Sequence, residues 1–219
     1  MYPIPAELPA ELPLFPLPGV LLLPGGRLPL NIFEPRYLGM VNDALGSGRL
    51  IGMIQPQDNA TAPTAPALYA IGCAGRIVHF EETPDGRFLI TLLGLSRFRM
   101  TSETATVHPY RRACVAWDDF SQDLLPVPLQ ETPQDRQNFM TIACRYLERQ
   151  GMSFEREAIA EAPLDRLSTA IAMICPFSQE EKQALLEAPD AAERKALLLA
   201  LMEMALYHVS EGCGRPHLN

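Results

Sequence analysis

Apolar residues in the first half of the chain come in short runs that proline and glycine keep interrupting. "LPLFPL", "GRLPLNIF", "RLIGMIQP" and "RRACVAW" are each long enough for a strand and too short for a buried helix. The clearest pattern is "AGRIVHFEETPDGRFLITLLGLSRFRM", two β-prone arms around Pro84-Asp85-Gly86, where Pro presets the entry and Asp-Gly tolerates a tight turn. One helix interrupts this region. Pro35 suits a first helical position, Leu38, Val41 and Leu45 recur at helical spacing, and Gly46-Ser47-Gly48 stops it. Residues 57–67, "QDNATAPTAPA", show no apolar period and read as a loop.

Past the acidic, proline-containing stretch "DDFSQDLLPVPLQE", the period changes to that of helices. Thr132-Pro133 opens a helix with Phe139, Ile142, Ala143, Tyr146 and Leu147 on one stripe, closed by Gly151. Leu164, Leu167, Ile171 and Ile174 repeat the pattern and stop before Pro176. Ser178 with Glu181 and Asp190 with Glu193 have the spacing of capping boxes. The last helix, from about Ala191, is expected to bury Leu197, Leu201, Met204 and His208. The fold class is therefore α+β: a β subdomain over 1–118, a linker over 119–131 and an α-helical bundle over 132–219.

The segment "FPLPGVLLLPGGRLPLNIFEPRY" is greasy enough to raise the question of a membrane or signal segment. Pro16, Pro18, Pro24 and Pro29 exclude a spanning helix, and the first basic residue, Arg27, comes too late for a secretory leader. With 47% hydrophobic residues the chain can bury a substantial core. A net charge of -8 opposes general attraction to phosphate backbones. The five cysteines form no CxxC pair and read as reduced thiols, so a cytoplasmic location is expected.

Catalytic constellations are sparse. Lys182 and Lys195 are the two lysines among 18 basic residues, and neither follows a glycine, which excludes a P-loop. Both fall on charged helix faces and read as solvated, against a Ser-Lys dyad. His79 lies beside Glu81 and Glu82, His108 precedes a proline, and neither HExxH nor a GxSxG nucleophile turn occurs. His208, Cys213 and His217 cluster near the C-terminus but lack a fourth zinc ligand, so no metal and no cofactor is expected. Glu34 and Arg36 flank Pro35 and are read as pairing locally or capping that junction. Arg97, Arg99, Arg111 and Arg112 form the one basic concentration; as a strand, "SRFRM" puts Arg97 and Arg99 on one face and Phe98 on the core side.

Three stretches together strongly resemble the N-terminal substrate-binding domain of Lon proteases: "LPLFPLPGVLLLPGGRLPLNIFEPRY", "GRIVHFEETPDGRFLITLLGLSRFRM" and "AIAMICPFSQEEKQALLEAPDAAERKALLLALME". The resemblance runs in order from about Leu12 to Leu206. It implies a PUA-like β-barrel followed by a helical bundle, standing alone without the ATPase and peptidase of a full-length Lon, and hence no enzymatic activity. It also implies a job: binding unfolded or tagged polypeptide segments, in the company of a protease or chaperone. Candidate contacts are the exposed members of Leu21, Leu22 and Leu23, the loop around 55–67, and Arg97, Arg99, Arg111 and Arg112. Two other readings stay open here: an RNA-binding PUA-like protein using the arginines, and a small-molecule enzyme with its site between barrel and bundle.

Overall fold

The computed structural model describes residues 8–57, 66–125, 132–152 and 162–208. The chain divides into two compact units, one comprising residues up to Val127 together with Phe177–Glu187, the other Pro128–Pro176 and the chain from Ala188 onward.

The first unit is built on a six-stranded mixed sheet: β1 (Glu11–Pro16), β2 (Arg27–Ile32), β3 (Leu50–Ile54), β4 (Ile71–Glu82), β5 (Phe88–Thr104) and β6 (Arg112–Ala116). β4 and β5 form the expected hairpin, with Gly86 at φ 79° in its turn. β1 is shared end to end, pairing antiparallel with β6 through Glu11–Pro13 and parallel with β3 through Leu14–Pro16. The second half of β5 bends onto β6, Arg99 opposite Ala116. Strands β1, β3, β4, β5 and β6 thereby close a ring, and β2 lies along the first half of β5. Register shifts at Ala74/Gly75, Ile77/His79 and Met100/Ser102 supply the bends that closing so small a ring demands.

The proline-rich opening divides around this ring. Residues 12–16 lie in β1 and 27–32 form β2, while Leu21, Leu22 and Leu23 between them are buried in the core. Strand glycines let this segment approach. A Cβ on Gly94 would lie 2.0 Å from the Leu23 carbonyl oxygen, and one on Gly75 2.8 Å from a Leu22 methyl. The Gly94 N–H donates to Gly26 O and the Gly25 N–H to Gly94 O, each at 2.9 Å. α1 (Pro35–Gly46) starts at its proline and buries Tyr37, Met40, Val41 and Ala44.

Residues 118–124 depart from the linker reading. They form a 3-10 segment that buries Phe120 and Leu124 against the sheet unit. The helix over Gln179–Glu187 likewise packs in this unit, although its sequence neighbours belong to the other.

The second unit contains α2 (Pro133–Arg149), α3 (Leu164–Ile174) and, beyond α4 (Gln179–Glu187), α5 (Ala191–His208). α2 buries Phe139, Ala143, Tyr146 and Leu147 and packs on α5, as does α3, which buries Leu164, Leu167 and Ile171. Ile174, expected inside, is 57% exposed. The α5 stripe is also rotated from expectation. Leu198, Met202 and Leu206 are buried, whereas Leu197 and Leu201 are half-buried and Met204 exposed. The reason is that α5 is apolar nearly all round between Ala196 and Leu206, so its pattern does not select a face.

Candidate functional site

The predicted contact residues are mostly engaged within the fold. Leu21, Leu22 and Leu23 are buried, the last two against Gly75 and Gly94, and have no exposed member. Arg97 shares no solvent face with Arg99: its side chain is 0% exposed. Its Nε and backbone N–H both donate to Asp123 Oδ2, at 2.8 and 3.0 Å, and Nη2 donates to Oδ1 at 2.9 Å. Nη1 reaches Leu186 O in α4 at 3.1 Å, and the guanidinium lies 4.4 Å from the centre of the Phe120 ring. Phe98 is buried too, so both of these neighbours lie inside. This follows from the 3-10 segment and α4 covering a sheet face that the strand pattern alone assigns to solvent.

Arg99 is half-exposed but paired with Asp119 at 2.6 Å. Arg111 forks onto Glu103, with Nε to Oε2 at 2.7 Å, and donates to Pro66 O. Arg112 is held by Glu11 at 2.7 Å. The four arginines are thus distributed among separate acidic partners rather than gathered into one free basic surface. Of the 55–67 loop, Gln55 is buried, and residues 58–65 lie outside the described residues.

Lys182 also departs from expectation. It is buried, with Nζ donating to Gly19 O at 2.7 Å. Beside it, Gln55 Nε2 donates to Gln183 Oε1 at 3.0 Å and Gln183 Nε2 to Ile71 O at 3.2 Å. α4 is therefore fixed to the sheet by hydrogen bonds whose buried groups are mutually satisfied.

Among the described residues, three features are open to other molecules and combine several side chains. The first is the distal hairpin, where Val78, Phe80 and Leu89 are partly exposed, with Phe33, immediately after β2, 62% exposed. Leu89 sits between Asn31 of β2 and Glu81 of β4 in the register, so an apolar side chain is framed by polar ones. Phe80 is propped edge-on against Phe88, ring centres 5.0 Å apart.

The second is a cleft of about 300 Å³ lined by β1, the C-terminal turn of α1 and β6, including Leu12, Pro13, Asp43, Ala44, Leu50, Tyr110 and Arg112. At its rim Tyr110 Oη donates to Asp43 Oδ2 at 2.7 Å, and His108 stacks on Tyr110 with Nδ1 3.3 Å from the same carboxylate. Burial, then the Asp43 hydrogen bond, pushes the Tyr110 hydroxyl above its ordinary pKa, keeping it a donor. The third is a smaller pocket of about 130 Å³ between α2 and α5, lined by Ile142, Arg145, Glu203 and Tyr207.

Among the described residues, no three His, Cys, Asp or Glu side chains converge as for a metal ion; Cys213 and His217 lie outside those residues. His79 stands 3.9 Å from Glu81. Glu34 pairs with Arg36 at 2.8 Å but makes no side-chain cap. Among the described residues, no helix is long and apolar enough to cross a membrane.

The family model described as "ATP-dependent protease La (LON) substrate-binding domain" matches residues 11–204. Lon protease 2 of Myxococcus xanthus is 29% identical over 203 residues, covering 90% of this chain and 24% of that protein. The Lon protease of Flavobacterium johnsoniae is 31% identical over 110 residues, 50% of this chain and 13% of that protein. The chain thus spans about a quarter or less of these curated relatives. Among solved structures, the Lon N-terminal domain protein from Xanthomonas campestris aligns with a TM-score of 0.59 at 27% identity, covering 87% of this chain and 97% of that one. The N-terminal domain of Mycobacterium avium complex Lon protease aligns with a TM-score of 0.61, covering 88% and 98%; at 13% identity that likeness speaks to the fold alone.

Proposed function

We propose, since this chain belongs to the ATP-dependent protease La (LON) substrate-binding domain family, that it is a non-catalytic module that binds unfolded or tagged polypeptide segments in the context of a proteolytic machine. The observation that carries the reading is the exposure of Phe33 and Leu89 on and beside a hairpin whose backbone the barrel holds in place, Phe80 being exposed on the hairpin's other face. Covering one such side chain fully is worth about 1.5–3 kcal/mol. Ordering a flexible segment consumes much of that, so capture is weak per segment. Apolar burial drives it, and added salt weakens it little. The RNA reading draws no support from the arginines on which it relied, because each already has an acidic partner.

The test is fluorescence anisotropy with labelled, reduced and carboxymethylated α-lactalbumin, comparing the native chain with a Phe33→Ser/Leu89→Ser variant. Binding should saturate, persist at high salt and weaken about tenfold in the variant, the loss of about 1.4 kcal/mol. The thermal midpoint should fall only modestly, because Phe33 is largely exposed and Leu89 partly so. A variant that binds as tightly as the native chain overturns the assignment to this surface.

A further inference from the structure

Besides the hairpin, the first unit carries the cleft beside Tyr110, and its chemistry is more selective than an apolar patch. We infer that this cleft is a subsite for a lysine or arginine side chain of a bound polypeptide, an inference that rests on the polypeptide-binding reading above. The argument is one of shape and charge. Leu12, Pro13, Ala44 and Leu50 give the cleft apolar walls, and its volume of about 300 Å³ admits a long side chain. A lysine or arginine combines an aliphatic stem with a charged head, which suits an apolar wall ending at a carboxylate.

The charges at the rim do not cancel. Arg112 pairs with Glu11 at 2.7 Å, its stronger partner, and also hydrogen-bonds the Tyr110 hydroxyl. Asp43 is left with a neutral donor, the Tyr110 hydroxyl at 2.7 Å, and with His108 Nδ1 at 3.3 Å. Its side chain is 51% exposed, so an incoming cation can reach it. Asp43 also lies in the last turn of α1, at the negative end of the helix dipole, and that turn holds no basic residue. A phosphate or carboxylate ligand would meet this field head-on; a cation completes it.

The experiment uses acetylated, amidated, dye-labelled peptides of alanine and leucine with one central lysine, norleucine or glutamate, titrated against the full chain. Norleucine keeps the aliphatic stem and omits the ammonium. The lysine peptide should bind about fivefold tighter than the norleucine peptide, the scale of one partly screened ion pair, and the glutamate peptide weakest. Asp43→Asn should abolish the lysine preference and leave norleucine affinity unchanged, because asparagine still offers Tyr110 an acceptor. Glu11→Gln, which frees Arg112, should shift preference away from lysine toward glutamate.

Equal binding of the lysine and norleucine peptides overturns the subsite while the hairpin reading stands. A lysine preference that survives Asp43→Asn places the cation elsewhere and overturns it as well. Binding of none of the peptides overturns the subsite together with the reading beneath it.

Discussion

Each unit is stabilised internally by a different kind of interaction. In the sheet unit, residues far apart in sequence are brought into contact: β1 meets β6 about a hundred positions later, and Arg97 clasps Asp123 and the end of α4. In the helical unit several determinants are local, such as the Thr132 cap and the four-residue spacing of Leu198, Met202 and Leu206, with long-range ties such as Arg149 Nη1 to Leu206 O added to them. A long-range lock fails in one place when one residue is changed, whereas a helix stripe loses contacts in proportion to what is removed. Substitutions can test that contrast.

The largest effect is expected at Gly94. Any Cβ there collides with backbone, at 2.0 Å from the Leu23 oxygen, and no rotamer change relieves it. Gly94→Ala should cost about 4 kcal/mol or more, at the extreme of single substitutions. Gly39, within α1, has nothing within 4 Å of a built Cβ. Gly39→Ala should instead stabilise by about 0.5–1 kcal/mol through helix propensity. Urea denaturation followed by circular dichroism reads both. A mild Gly94→Ala would show that the leucine segment is loosely held.

Arg97 comes next. Arg97→Met removes the guanidinium that clasps both oxygens of the Asp123 carboxylate, itself 7% exposed, and should cost about 3–5 kcal/mol. Replacing Asp123 with leucine in the same chain should recover most of that loss, because the penalty is chiefly one of stranding a buried charge. A single variant as stable as the native chain would return Arg97 to the surface role its strand position suggested.

How much of this was legible in the sequence follows from the same distinction. The hairpin was, because Pro84-Asp85-Gly86 and the alternation around it are local signals, and so were the proline start of α1 and the Ser178/Glu181 cap. That cap is visible as Ser178 N–H to Glu181 Oε2 at 2.7 Å and Glu181 N–H to Ser178 Oγ at 3.2 Å. The burial of Arg97 and Lys182 was not. Strand and helix periods assign a face to each residue but cannot say which distant element covers that face. The available hint was glycine: Gly72, Gly75 and Gly94 interrupt otherwise strong strands, and each marks a close approach by a side chain or backbone. The hairpin's exposed apolar residues were equally hidden, since core and surface positions of a strand share one composition.

In the helical unit the expected changes are smaller and graded. Leu198→Ala should cost about 2–4 kcal/mol as a buried truncation. Met204→Ala should stay within about 0.5 kcal/mol, since Met204 is 54% exposed. The pair decides between the stripe at Leu198, Met202 and Leu206 and the rotated one the sequence suggested. A larger effect at Met204 than at Leu198 would reverse the assignment.

The smallest effect is the most local. At the start of α2 the Thr132 hydroxyl accepts the Asp135 N–H at 3.1 Å, while the Asp135 carboxylate accepts the Thr132 N–H, also at 3.1 Å. Removing the hydroxyl with Thr132→Ala should weaken the helix start by about 1 kcal/mol at neutral pH. The Thr132 N–H, then its hydroxyl, hold the Asp135 carboxyl below its ordinary value of 3.8. A carboxyl depressed in the folded state stabilises above its unfolded pKa, and that contribution disappears as pH falls through the folded value. The native chain's advantage over Thr132→Ala should therefore be full at neutral pH and shrink below about pH 4. Amide exchange at Asp135, taken as the ratio between the two chains so that intrinsic pH dependence cancels, measures it directly. A ratio constant from neutral to strongly acidic pH would mean that the hydroxyl gains nothing from donating to the Asp135 carboxylate at 2.8 Å, leaving its acceptance of the Asp135 N–H as its whole contribution. A ratio that narrows on acidification assigns the difference to the charge on Asp135, a determinant contained within four consecutive residues.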